Sequence, residues 1–194
     1  MSYALRAPRT FLADEYLLVE RNAAYKSELI GGTIYAMAGA SERHITINVN
    51  ITAVAHRQLR GSDCRAFGND MKVRSSPEGL FAYPDLSVVC GERRFHDASR
   101  DVLVNPGALF EILSPSTALF DRGDKFLMYQ ELDSLLDYVL ISQSEPRVEH
   151  FRRQENGLWL PTLAQGQEAS ITLASAAVTL SLAEVYENVD FSVV

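Results

Sequence analysis

Cysteine is scarce in this chain, and signals for export or membrane insertion are missing. Cys64 and Cys90 are the only cysteines. Neither belongs to a Cys-x-x-Cys pair, so both are read as reduced core thiols rather than parts of a disulfide framework or zinc site. No apolar run approaches the roughly 18 residues of a membrane span, and the first ten residues lack a signal-peptide stretch. These absences predict a cytoplasmic protein with no membrane partner. Internal repeats, low-complexity tracts and Pro/Gly-rich linkers are absent too, so residues 1–194 are expected to form one domain. Excess positive charge is also lacking. The net charge of -7 argues against a general nucleic-acid coat.

What is present suffices for a large core. The chain is 47% hydrophobic and 22% charged, and at this length roughly 70% of the unfolded surface is buried on folding. Charge is unevenly spread: the stretch from Arg43 to Arg100 carries more basic than acidic residues, while the remainder is strongly acidic. A local basic face and chance scatter both fit that distribution.

Hydrophobic periodicity predicts a mixed α/β (α+β) order of elements. Thr10 can cap a helix reaching about Glu20, with Phe11, Leu12, Tyr16 and Leu17 on one stripe. Strands at 25–30 and 33–37 flank Gly31-Gly32, which tolerates the positive φ of a hairpin turn. Ser41 suits an N-cap and Gly61 a stop for a long helix presenting Ile45, Val49, Thr52 and Leu59. Residues 86–90 and 108–113 are near-continuous apolar runs, which implies a sheet covered on both faces. A helix near 121–131, capped by Asp121, precedes a strand at 137–141. Strands at 147–153 and 158–160 flank a turn at Glu155-Asn156-Gly157.

Three residues carry the chemical signal. Glu111 sits in Ala-Leu-Phe-Glu-Ile-Leu, where every neighbour is apolar. A carboxylate taken from water without compensation costs several kcal/mol, so it needs a cation, hydrogen bonds, or a place at the rim of the sheet. A buried arginine partner or a wet strand edge would also satisfy it. Asp85 opens an apolar strand directly after Pro84, whose fixed φ steadies the entry; alone it also reads as an ordinary turn aspartate. Two acids on neighbouring strands make an oxygen-rich pocket suited to Mg²⁺. Lys125 and Tyr129 are four apart and share a helical face that could look at the sheet, although Lys125 could instead simply pair with Asp121.

The chain resembles the PD-(D/E)XK nuclease superfamily and, within it, the Uma-type restriction endonucleases. The resemblance runs over most of the chain. It includes Ser27-Glu-Leu-Ile-Gly-Gly-Thr-Ile34, Met37-Ala-Gly-Ala-Ser-Glu-Arg-His44 and Tyr83-Pro-Asp-Leu-Ser-Val-Val-Cys-Gly91. Its most specific part is Phe110-Glu-Ile-Leu-Ser-Pro-Ser-Thr117, followed by Asp121-Arg-Gly-Asp-Lys125 and Tyr129. The fold implied is a restriction-endonuclease-like mixed sheet flanked by helices, with an N-terminal hairpin and a hairpin-rich C-terminal part.

By the same resemblance Asp85, Glu111 and Glu28 bind metal, and Asp85, Glu111 and Lys125 are catalytic. The usual lysine position, two residues after the second acid, falls on Leu113, and the resemblance assigns its role to Lys125 on the following helix. Gly31 and Thr33 stand where Asp and Glu are commoner. The implied activity is Mg²⁺- or Mn²⁺-dependent hydrolysis of phosphodiesters, in DNA above all, by a homodimer. Arg43, Arg57, Arg60, Lys72 and Arg74 are candidates for phosphate contacts. His44 is read as a capping or hydrogen-bonding residue near the pocket, and Trp159 as a core or interface residue. His56, His96 and His150 are set aside because their spacing matches no zinc site. Two other functions remain open: a non-catalytic nucleic-acid-binding or assembly protein keeping the nuclease fold, and a metal-free hydrolase such as a glycosidase.

Overall fold

The computed structural model describes residues 10–77 and 79–192. It opens with α1 (Ala13–Glu20), β1 (Ser27–Ile30), β2 (Thr33–Ala36) and α2 (Glu42–Gln58). Short strands follow: β3 (Arg65–Gly68), β4 (Lys72–Arg74), β5 (Phe81–Ala82), β6 (Leu86–Val89) and β7 (Val102–Leu103). Next come β8 (Ala108–Leu113), α3 (Ala118–Arg122), α4 (Asp124–Tyr129), β9 (Asp137–Ser142), β10 (Arg147–Arg153) and β11 (Trp159–Gln165). The chain closes with β12 (Ser170–Thr172), β13 (Thr179–Ser181) and α5 (Leu182–Val185).

Among the described residues the strands form three sheets. The central one has the order β11-β10-β9-β8-β6-β3, a second has the order β2-β1-β5-β4-β7, and β12 pairs with β13. β8 and β9 run parallel, as do β4 and β7, while the other pairings are antiparallel. This is the mixed α+β arrangement that the alternating elements predict. No described helix is long and apolar enough to cross a membrane.

Every residue of β6 and β8 is buried, as the apolar runs require, because helices and sheets cover both faces. Leu86, Val88, Phe110 and Ile112 pack toward α2 and α5 with Ile47, Ile51, Val54 and Val185. Val89, Leu109 and Leu113 face the other way, toward Phe126, Tyr129 and Tyr138. Strand alternation puts Glu111 on this second side, shared with Leu109 and Leu113. Phe126 stacks on Tyr138 at 4.8 Å and meets Trp159 edge-on at 5.2 Å, so Trp159 is a partly buried core residue.

Several boundaries differ from the sequence reading. Leu12, not Thr10, is the N-cap of α1, and Leu12 points away from the apolar stripe. Ser41 does cap α2, accepting from the His44 N–H at 3.2 Å, but the buried stripe is Ile47, Ile51, Val54 and Ala55. Ile45 and Val49 are exposed. The expected helix at 121–131 is two short helices broken at Gly123, so Asp121 is a helical residue rather than a cap. Gly31 and Gly32 take φ of +54° and +79°, which fits the predicted hairpin turn.

Cys64 and Cys90 are not reduced thiols here: they form a disulfide. The β3/β6 register pairs Arg65 with Val89, which sets the two cysteines opposite each other one step beyond the ladder. His150, set aside on spacing, is buried and lies 2.7 Å from Asp137 Oδ1. Asp137 also accepts from the backbone N–H groups of Ala174 and Ser175, which ties the loop between β12 and β13 to β9.

Candidate functional site

Asp85 precedes the β6/β8 pairing, in which Leu86 faces Phe110. Continuing that register one step sets Asp85 across from Glu111. Pro84 has no N–H to extend the ladder, and the Asp85 side chain takes the place of a backbone acceptor. Its Oδ2 receives the Ile112 N–H at 2.7 Å, and its own N–H donates to the Phe110 carbonyl at 3.0 Å. From α2, His44 Nε2 lies 2.7 Å from Asp85 Oδ1, and the Asn48 amide donates to the Asp85 carbonyl at 3.1 Å. His44 and Asn48 are four apart on one helix, so one face of α2 holds Asp85 Oδ1 while Ile112 holds Oδ2.

Lys125 reaches in from α4. Its Nζ lies 2.9 Å from Glu111 Oε1, 3.5 Å from Glu28 Oε1 and 3.6 Å from Asp121 Oδ1. Tyr129, one turn on, donates to Glu111 Oε1 at 3.1 Å. Glu28 of β1 is oriented by the Tyr83 N–H, which donates to its Oε1 at 3.1 Å. Glu28, Asp85, Glu111, Asp121, Lys125 and His44 thus line one cleft of about 1110 Å³.

The electrostatics are lopsided. Burial pushes the Glu111 carboxyl well above its ordinary value; Lys125 opposes that shift, and Asp121, Asp85 and Glu28 add to it. Asp121 is raised too, again chiefly by burial. The Lys125 ammonium is also buried, which disfavours its charge, but the surrounding acids hold its pKa above the ordinary value. One buried ammonium group therefore serves several acids, which leaves room for further positive charge.

Carboxylate oxygens are the donors that Mg²⁺ and Mn²⁺ prefer, and the uncompensated acidity fits a divalent ion. In the continued register Asp85 and Glu111 stand opposite each other, so both could offer oxygens to such an ion, and Glu28 lies by the same Lys125. Glu28, Asp85 and Glu111 do not close into a trio with donor atoms within 4.8 Å of one another; among the described residues only Asp63, Cys64 and Cys90 do. Lys125 instead bridges the acids.

Glu28, Asp85, Glu111, Lys125 and His44, all conspicuous in the sequence, come together in this cleft. Asn48 and the contact of Tyr129 with Glu111 carry no such signal, and Asp121 lines the cleft from inside a helix rather than capping one. The basic candidates fare differently. Lys72 is buried and pairs with Asp101 at 3.0 Å, so it is not free to meet a phosphate. Arg57 pairs with Glu184, and Arg43 donates to the Asp190 carbonyl at 2.8 Å. Arg74 contacts His96, and Arg60 is exposed.

Comparison with known proteins gives this arrangement a setting. Residues 13–183 match the model of a family described as "Uma2: Putative restriction endonuclease". Two uncharacterized proteins of Synechocystis sp. are similar. The protein sll1609 is 35% identical over 159 residues, which is 82% of this chain and 90% of the relative. The protein slr1290 is 31% identical over 178 residues, 92% of each. The crystal structure of a "putative nuclease belonging to DUF820" from Anabaena variabilis shares the fold, with a TM-score of 0.75 at 22% identity. That match covers 92% of this chain and 98% of the other.

Proposed function

We propose, on the premise that this chain belongs to the Uma2 restriction-endonuclease family, that its acidic cleft hydrolyses phosphodiester bonds, in DNA, with Mg²⁺ or Mn²⁺. The observation that carries this reading is the convergence of Asp85 and Glu111 from adjacent strands, with Lys125 Nζ 2.9 Å from Glu111. Asp85 and Glu111 would hold the ion and Glu28 would support it. A divalent ion held there would supply Lewis acidity to a phosphoryl oxygen and would lower the pKa of water toward neutrality.

The chain's own residues do the rest. His44, Asn48 and the Ile112 N–H fix the Asp85 carboxylate, so it need not reorganise as charge develops. Tyr129 fixes Glu111 in the same way. Lys125, buried and kept cationic by its acidic neighbours, orients the attacking water and offsets negative charge on the phosphorus centre. Each cut consumes one water, breaks one P–O bond and leaves a phosphomonoester and a hydroxyl.

The same proposal assigns the protein to the cytoplasm and to a homodimer. β11 is an outer strand with Leu160 and Leu163 exposed, and a second copy would cover it. Sedimentation giving only monomer at micromolar concentration would remove the dimer.

The test of the activity is cleavage of plasmid DNA in Mg²⁺ by wild type and by Asp85→Ala. Wild type is expected to cut and the variant not to. Equal results in both samples would leave the fold with a non-catalytic binding or assembly role. Cleavage of a glycosidic substrate surviving full chelation would point to a metal-free hydrolase instead.

A further inference from the structure

A second group of potential ligands lies away from the acidic cleft. Asp63, Cys64 and Cys90 hold a carboxylate oxygen and two sulfurs all within 4.8 Å of one another. Asp63 Oδ1 is 3.7 Å from Cys64 Sγ, and the Ser175 carbonyl oxygen is 3.3 Å from Cys90 Sγ. Gly91, held at a φ of +72° that favours glycine, follows Cys90 and lies beside Asp63. Asp63 is exposed and Cys90 partly so, so the group can be reached from solvent.

The position matters to the fold. Among the described residues β3 is the outer strand of the central sheet and pairs within it only with β6. Cys64 and Cys90 tie the two together one step beyond their last ladder pair. When the disulfide is broken, that tie is lost and two thiols are left facing each other beside a carboxylate.

We infer that the reduced Asp63–Cys64–Cys90 group is a binding site for a borderline-soft divalent cation of the Zn²⁺ class, and that the disulfide is its closed state. A small-molecule dithiol opens the site: the S–S bond accepts two electrons and two protons, and the dithiol closes into its own disulfide. Metal binding then releases the two thiol protons, because thiolates are the ligands. Two thiolates with one carboxylate suit Zn²⁺ over Mg²⁺, which prefers all-oxygen sites. The Ser175 carbonyl or a water completes the set. The bound ion would replace the covalent tie between β3 and β6.

Co²⁺ titration of the full chain tests this, because thiolate-to-cobalt charge transfer absorbs in the near ultraviolet and carboxylate ligation does not. Dithiol-reduced wild type, with dithiol removed, should bind one Co²⁺ per chain with that band and lose the band to Zn²⁺. Oxidised wild type and the Cys64→Ser/Cys90→Ser double variant should lack it. Asp63→Asn should weaken binding at least about tenfold, the lower end of what losing even a supporting contact does to a metal site. Asp85→Asn/Glu111→Gln should keep the band, so failure of the nuclease reading leaves this test intact. Three outcomes would overturn the proposal: no band in reduced wild type whose free thiols have been counted, the same band in oxidised protein, or a chain that cannot be oxidised to the disulfide. The comparison of reduced with oxidised wild type stands even if a cysteine variant folds poorly.

Discussion

Asp85 Oδ2 accepts a 2.7 Å hydrogen bond from the backbone N–H of Ile112, so the carboxylate at the head of one strand is fixed against the peptide that follows Glu111 on the next. That bond, together with the contacts from His44 and Asn48, aims a charged group without relying on a mobile side chain. Asp85→Asn keeps the shape and most of the hydrogen bonding. It should fold with near wild-type stability yet bind Mn²⁺ at least about tenfold more weakly and lose Mg²⁺-dependent cleavage. Isothermal titration and a plasmid assay check the two parts.

Lys125 contacts three acids, the closest at 2.9 Å. Lys125→Met leaves those acids buried without their cation, at a cost of about 3–5 kcal/mol. Cleavage should fall by about 10²–10³-fold, the size of losing one preorganised electrostatic group. Urea denaturation with and without Mn²⁺ adds a sharper readout: the ion should stabilise the variant more than wild type, because it replaces missing positive charge.

The pH dependence follows from Glu111, whose pKa is raised above its ordinary value of 4.5 by burial. Between the ordinary and the raised value the folded protein binds more protons than the unfolded chain. Stability of metal-free protein therefore falls as pH rises through that window. Glu111→Gln should flatten this slope. Because divalent ions compete with the proton, the acid limb of the cleavage profile should move to lower pH as Mg²⁺ increases. Denaturation at a series of pH values, and rate profiles at two Mg²⁺ concentrations, measure these effects.

Asp137 behaves in the opposite sense. Its hydrogen bonds to His150, Ala174 and Ser175 hold its pKa below the ordinary 3.8, despite burial. The stability it contributes is present above that value and is lost as pH falls through the lower, folded value. Asp137→Ala should cost about 3 kcal/mol or more by leaving buried donors unpaired, and it should free residues 174–175 to exchange amide protons faster.

Much of the site was legible in the residues themselves, because an acid inside an apolar strand and an acid after a strand-entry proline are both chemically conspicuous. The Gly31-Gly32 turn and the Ser41 cap were legible for similar local reasons. The stripe of α2 was not. Ile45, Ile47, Val49 and Ile51 alternate along the helix, so two apolar faces compete, and only packing against β6 and β8 selects Ile47 and Ile51. The Cys64–Cys90 bond was hidden because 26 residues separate the cysteines and only the β3/β6 register brings them opposite. Asn48 needed the placement of its helix over Asp85 before its spacing from His44 meant anything.

The α2 correction yields its own test. Ile51→Ala should cost about 2–5 kcal/mol by opening a cavity, whereas Val49→Ala, on the exposed face, should stay within about 0.5 kcal/mol of wild type. Chemical denaturation of the two variants compares them directly.

The most direct measurement is anomalous diffraction from crystals soaked in Mn²⁺. The account predicts a peak within coordination distance of both Asp85 and Glu111, with Lys125 shifted off Glu111 to make room. Crystals with saturating Mn²⁺, an accessible cleft and no peak between those two carboxylates would contradict it.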